Sequence, residues 1–286
     1  MIRASRPPAG RYGKPVSRRG KQIADMLRAQ RGLTEVRACN LRAILSENDV
    51  EVEYAEVDDL GCAALLLRIE STAGILIEKG QSPQRERFSI AHEMGHYYIP
   101  SHEEHGDFRC SALEMRARST DVAEREWEAN DFASELLMPY ALFSRDVKSQ
   151  SVTIEQAIRL GGAEMYDVSI FAAAWRIIQT TRESAALIVT TDGVIDWVTR
   201  SANFGGWISD RGEPPRPDTL ARSVLRDEGA HARGSEVPAS AWFDDPGQAS
   251  GVVVESTHSI EQTNQIVSLL WRPEPDVGDG DLDERS

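Results

Sequence analysis

The stretch His92-Glu93-Met94-Gly95-His96 constrains this chain more than any other part of it. On an α-helix, residues four apart share a face, so two imidazoles at that spacing can converge on one metal ion. Glu93 follows the first histidine directly, where its carboxylate reaches a water at such a site without ligating the metal. The surroundings read as a helix. Ser82 and Pro83 fit an N-cap and a first helical position, and Pro100 marks the stop. Phe88, Ala91, Gly95 and Tyr98 recur at helical spacing on the face that carries the histidines, so that face should turn inward.

Two histidines four apart also fall by chance on an amphipathic helix, so a third ligand decides the matter. Residues 120–138 supply a second helix, opened by Asp121 and Glu124 as a capping box and ended by Pro139. Three glutamates compete on it. Glu126 shares a face with Ala129, Ala133 and Leu137 and points toward the core. Glu124 goes with Asp131 toward solvent. Glu128 is intermediate, with Phe132 one turn on but Asp131 and Glu135 nearby. A carboxylate on an inward face of small residues needs a partner, and a metal ion is the obvious one. Asn130, one turn after Glu126, is placed to orient a ligand.

The two segments together, Phe88 through His96 and then Glu126-Trp127-Glu128-Ala129-Asn130-Asp131-Phe132-Ala133-Ser134-Glu135-Leu136-Leu137-Met138-Pro139, resemble the ImmA/IrrE family of metallo-endopeptidases. The resemblance spans roughly residues 20–180 and implies Zn²⁺ held by His92, His96 and Glu126, with Glu93 catalytic; Mn²⁺ is the alternative metal. It also implies a protein substrate, often a helix-turn-helix repressor, rather than general digestion. The last hundred residues fall outside it.

Composition narrows the setting. No apolar run approaches the length of a membrane span, and the first residues lack the apolar core of a secretory signal. Cys39, Cys62 and Cys110 are few and scattered, which fits a reducing compartment, the cytoplasm, without a disulfide framework. Cys110 follows His102 and His105, but loose loop residues explain that grouping better than a second metal site. The net charge of −14 argues against a chain that coats nucleic acid.

The expected fold is α+β. A basic disordered arm (1–21) precedes a zincin-like domain (22–182), a β-rich accessory module (183–272) and an acidic disordered tail (273–286). Residues 22–31 and 40–48 read as helices about Gly32. Residues 50–54 alternate as a half-buried strand, and 63–69 and 73–77 read as strands of a small antiparallel sheet. Either of the last two is expected to bind substrate backbone as an added strand, with Gly74, Ile75, Leu76 and Ile77 the favoured stretch. Residues 154–160 and 169–179, about Gly161-Gly162, look like a helix-turn-helix. The second of these is rich in alanine and poor in base-reading side chains, so it reads as a buttress of the peptidase domain.

Beyond it, 185–190 and 194–199 form a hairpin about Asp192-Gly193, and 251–256 and 265–271 add two strands. Residues 205–217 and 227–234 read as loops. Trp197, Trp207, Trp242 and Trp271 are expected in packing rather than in a ligand pocket. The module suits a sensor, and an exosite or oligomerisation element equally well.

Two rival readings remain at this stage: a binding module with a structural metal, for which Cys110 would be a fourth ligand, and a regulator that reads DNA through the glycine-turn helices. Neither explains the glutamate after the first histidine. Tyr97, Tyr98, His102 and His105 stand near the site in sequence, and nothing ranks them for stabilising an oxyanion.

Overall fold

The computed structural model describes residues 18–56, 62–69, 72–105, 120–147, 151–206, 208, 211–226, 232–245, 247–260 and 263–273. The chain divides into two compact units. One comprises Met1–Asp146 with Arg159–Ser169, the other Val147–Ile158 with Ile170–Ser286. Among the described residues no helix is long and apolar enough to cross a membrane.

The first unit contains helices α1 (Arg19–Gln30), α2 (Leu41–Ser46), α3 (Pro83–Tyr98), α4 (Thr120–Leu137) and α5 (Tyr140–Asp146), with strands β1 (Val50–Ala55), β2 (Ala64–Ile69) and β3 (Thr72–Glu78). Local chemistry sets the helix ends. Asn40 caps α2 by accepting the Ala43 amide, and Ser82 caps α3 by accepting the Arg85 amide ahead of Pro83 at the first helical position. Gly32, at a φ of 65°, takes the left-handed position that follows α1.

α4 is pinched between two glycines. A Cβ on Gly20 of α1 would lie 2.0 Å from the Glu128 carbonyl oxygen, and one on Gly95 of α3 would lie 2.9 Å from the Ala129 Cα. Both helices therefore approach α4 backbone to backbone at the turn that carries Glu128, Ala129 and Asn130. This contact also explains why α1 starts at Arg19 rather than at residue 22. Gly20 must be helical to reach α4, and the Arg19 guanidinium reaches Ser101 Oγ at 2.9 Å. The rest of the expected basic arm, residues 1–17, lies outside the described residues, as does the acidic tail from 274 onward.

The three-stranded sheet has the order β1-β3-β2. β2 pairs antiparallel with β3, as the sequence suggested for these two runs, while β1 adds to the other side of β3 in parallel and makes the sheet mixed. With β2 on one side of β3, the vacant side is the one left for β1, and there β1 runs with β3. The consequence bears on function. Gly74, Ile75, Leu76 and Ile77 lie on the central strand with both edges paired, so they cannot accept a substrate as an added strand. Among the described residues the sheet edge on the α3 side is that of β2, which packs against that helix.

The second unit is built on a five-stranded antiparallel sheet of order β5-β4-β8-β7-β6, from β4 (Ser184–Thr191), β5 (Val194–Arg200), β6 (Ala232–Pro238), β7 (Val252–Ile260) and β8 (Gln265–Arg272). The hairpin turn falls at Asp192-Gly193, both at positive φ as a tight primed turn requires. Residues 232–234, expected in a loop, belong to β6. This edge strand is polar along Arg233-Gly234-Ser235-Glu236 and carries a register shift, so it shows no apolar alternation. Helix α6 (Ile154–Gly161) follows the expected span.

α7 (Ile170–Thr180), read from the sequence as a buttress of the peptidase domain, packs on β4 and β5. Trp175 stacks on Trp197 of β5, with centroids 4.3 Å apart and planes 9° apart. On another part of the sheet, α8 (Leu220–Arg226) seats its first two amides on the buried Glu255 carboxylate, at 3.0 and 2.8 Å. Trp242 donates its indole N–H to Glu255, and Trp271 donates to Glu183. The tryptophans thus serve packing and hydrogen bonding, Trp207 lying outside the described residues.

Candidate metal centre

α3 and α4 cross at Gly95 and Ala129, and the crossing brings His92, His96 and Glu126 together. His92 Nε2 lies 3.2 Å from His96 Nε2 and 3.2 Å from Glu126 Oε2, and His96 Nε2 lies 3.4 Å from Glu126 Oε1. A tetrahedral ion with bonds of about 2.0–2.1 Å separates its ligand atoms by about 3.3–3.4 Å. Two imidazole nitrogens and a carboxylate at that spacing fit a zinc-type ion without rearrangement, and among the described residues these three form the group able to hold a metal. His96 is fully buried, while the His92 and Glu126 side chains keep 14% and 24% of their surface, so the site is open on that side.

The electrostatics agree with the distances. Burial alone would raise the Glu126 carboxyl, but hydrogen bonds from His92 and His96 outweigh it and hold the group well below the usual carboxylate range. Burial pulls His92 down, and Glu126, Glu93 and Asn130 more than compensate, leaving it raised.

Each histidine has a partner on its far nitrogen. His92 Nδ1 meets Asn130 Oδ1 at 3.1 Å, the orienting contact expected of that asparagine. His96 Nδ1 meets His102 Nδ1 at 3.0 Å, and His102 Nε2 meets Glu128 Oε2 at 3.1 Å. Burial, then the neighbouring His96, pushes His102 down to about 4. Sequence reasoning left both residues unplaced. His102 sits in a short 3₁₀ segment (Pro100–His105) after the helix stop, where no periodicity assigns its direction. Glu128 looked intermediate because its helical neighbours are mixed, yet it is 5% exposed. Glu124 is exposed, as expected. Asp121, His105 and Cys110 have no described side chains, so the capping box and a fourth ligand from Cys110 lie outside the described residues.

Glu93 is 2% exposed and does not join the three ligand atoms. Its Oε2 accepts the backbone N–H of Leu66 at 2.9 Å. Two residues along β2, the Arg68 guanidinium donates to the carbonyls of His96 (3.1 Å) and Tyr97 (3.0 Å) at the end of α3. β2 is therefore fastened to the metal-bearing helix at two points, with the outward amide of Leu66 held by Glu93.

Residues 49–177 match the family model described as Peptidase_M78, IrrE N-terminal-like domain. This region is similar to an IrrE N-terminal-like domain. It holds all of α3 and α4, and with them His92, Glu93, His96 and Glu126. A Mycobacterium tuberculosis transcriptional regulator shares its fold with this chain, at 16% identity and a TM-score of 0.54 over 88% of this chain and 75% of the other. No curated protein matches the sequence. The matched residues end within α7, and the strands of the five-stranded sheet follow them in sequence.

Proposed function

We propose that the chain is a zinc-dependent endopeptidase that hydrolyses a peptide bond in a specific partner protein, a helix-turn-helix repressor by class. The observation that carries this reading is the trio of ligand atoms 3.2–3.4 Å apart with a separate buried glutamate beside them. A structural zinc has no use for that glutamate. His92, His96 and Glu126 would hold Zn²⁺, with Mn²⁺ the alternative, which when bound supplies Lewis acidity toward a carbonyl and a water. Glu93 accepts the proton of the attacking water and passes it to the leaving amine. The hydrogen bond from Leu66 holds the carboxylate in position for both transfers.

β2, not β3, is the strand along which we place the substrate, extended and paired along its outer edge beside the Leu66 amide that Glu93 holds. The repressor class follows from the resemblance of the two motifs to ImmA/IrrE peptidases, and the low cysteine count supports a cytoplasmic setting. Against a DNA-reading role stands α7, whose Ala173, Ala174, Arg176, Ile177 and Ile178 are buried and whose Trp175 is stacked on Trp197.

The test is to compare new protein N-termini in cells expressing the wild type and Glu93→Gln at equal level. A terminus produced by the wild type alone supports the reading. Identical sets of termini, with both proteins carrying zinc, contradict it.

A further inference from the structure

We infer that His102 and Glu128 are a positioning pair that fixes the tautomer and orientation of His96. The inference rests on the metal reading of the site and concerns residues outside the ligand set.

A neutral imidazole carries one proton, so one ring nitrogen donates and the other accepts. His96 Nε2 is the atom that faces His92 Nε2 and Glu126 Oε1, at 3.2 and 3.4 Å. To bind a metal there it must present its lone pair, which places the His96 proton on Nδ1. That nitrogen lies 3.0 Å from His102 Nδ1. Two ring nitrogens at that distance share a single proton, so His102 Nδ1 must accept. The His102 proton then resides on Nε2, and Glu128 Oε2, 3.1 Å away, accepts it. Every donor in the series finds an acceptor in one order: His96 Nδ1–H to His102 Nδ1, and His102 Nε2–H to Glu128.

Burial gives the series its force. His96, His102 and Glu128 are 0%, 1% and 5% exposed, so water does not compete for these bonds, and a wrong tautomer would leave two lone pairs or two protons facing each other. His102 is not a fourth ligand, because it meets the nitrogen of His96 that faces away from His92 and Glu126. The two histidines are oriented by different means. Asn130 offers His92 a neutral amide oxygen, whereas Glu128 offers His96 a carboxylate through an intervening ring. The i, i+2 spacing of Glu128 and Asn130 on α4 lets one turn serve both rings, and Gly20 and Gly95 hold that turn from either side.

The experiment measures zinc affinity by competition with a chelating dye for the full chain and for His102→Phe, Glu128→Leu and Glu128→Gln. It is paired with long-range ¹H–¹⁵N spectra of the imidazoles in the zinc-loaded wild type. His102→Phe and Glu128→Leu should bind zinc about 10–100-fold more weakly, the loss typical of removing an outer partner of a ligating histidine. Glu128→Gln keeps an acceptor oxygen for His102 and should recover most of that loss. The spectra should show His96 protonated on Nδ1 and His102 on Nε2. Wild-type affinity in both His102→Phe and Glu128→Leu, or a His102 proton on Nδ1, overturns this inference and leaves the metal site standing. A wild type that binds no zinc removes the metal reading and this inference with it. Should the variants fail to fold, the wild-type spectra still decide.

Discussion

Leu66 donates its backbone N–H to Glu93 over 2.9 Å, tying the edge strand of the first sheet to the glutamate that follows the first histidine. One contact thus relates the strand along which an extended substrate would pair to the group that would move its protons. Glu93→Gln preserves the size of the side chain and the acceptor for Leu66 but cannot take a proton. Metal content should be unchanged, and cleavage of the partner should fall by about 10²–10⁴-fold. Normal turnover in a metal-loaded Glu93→Gln protein would assign the base to another residue.

The two glycines against α4 predict a graded effect. Gly20→Ala places a methyl 2.0 Å from a backbone oxygen, and Gly95→Ala places one 2.9 Å from the Ala129 Cα. Each should destabilise the first unit by about 1–3 kcal/mol in chemical denaturation. Gly95→Ala should in addition weaken zinc binding, because it pushes the histidine helix away from Glu126. Wild-type stability in both variants, with wild-type metal affinity in Gly95→Ala, would show that the helices do not cross this closely.

How much of this was legible in the sequence depends on how each residue is specified. His92, His96, Glu126 and Asn130 could be placed because helical periodicity fixes direction within a helix. His102 could not, since it follows a proline stop in a 3₁₀ segment where direction depends on tertiary packing. The hairpin at Asp192-Gly193 was readable from its turn chemistry, but the polar edge strand β6 was not. Sheet order also escaped the sequence: nothing local distinguishes a central β3 from an edge β3, and the substrate strand moved from β3 to β2 for that reason.

Cys62 gives a chemical readout of the same neighbourhood. Burial first, then the negative charge of Glu93, pushes its thiol up to about 11. Its thiolate fraction at pH 8 is therefore roughly a hundredfold below that of a free cysteine, and alkylation by iodoacetamide should slow in proportion. Site-resolved mass spectrometry should find Cys62 protected in the native protein and reactive once unfolded. Replacing Glu93 by glutamine removes a charge that disfavours the thiolate, so alkylation should quicken.

Asp146 sets a pH limit on the first unit. The Arg37 guanidinium grips its carboxylate through two bonds of 2.7 and 2.8 Å, Tyr166 donates a third at 2.8 Å, and the Asp146 carboxyl is held below its ordinary value. Because the folded value is depressed, the unfolded chain binds the proton more readily. The contribution is complete above about pH 4, the ordinary value for an unfolded aspartate, and is lost as pH falls through the folded value. Arg37 is well exposed, so Asp146→Asn should cost only about 1–2 kcal/mol at pH 7. The gap to wild type should close on acidification, and a gap that stays constant down to pH 3 would remove the ion pair from the account.

In the second unit, Glu255 accepts the amides of Leu220 and Ala221 and the indole of Trp242 with none of its surface exposed. Glu255→Ala strands three donors in the core and should cost about 3 kcal/mol or more, read as a lower unfolding midpoint with altered Trp242 emission. An unchanged midpoint would mean that water replaces the carboxylate.

The most direct measurement is zinc content by elemental analysis of the purified wild type beside His92→Ala, Glu93→Gln and Glu126→Ala. One zinc per chain in the wild type and in Glu93→Gln, and none in the other two, is the predicted result. Zinc retained after the loss of Glu126, or absent from the wild type even after zinc is added back, would contradict the His92–His96–Glu126 site on which the peptidase reading stands.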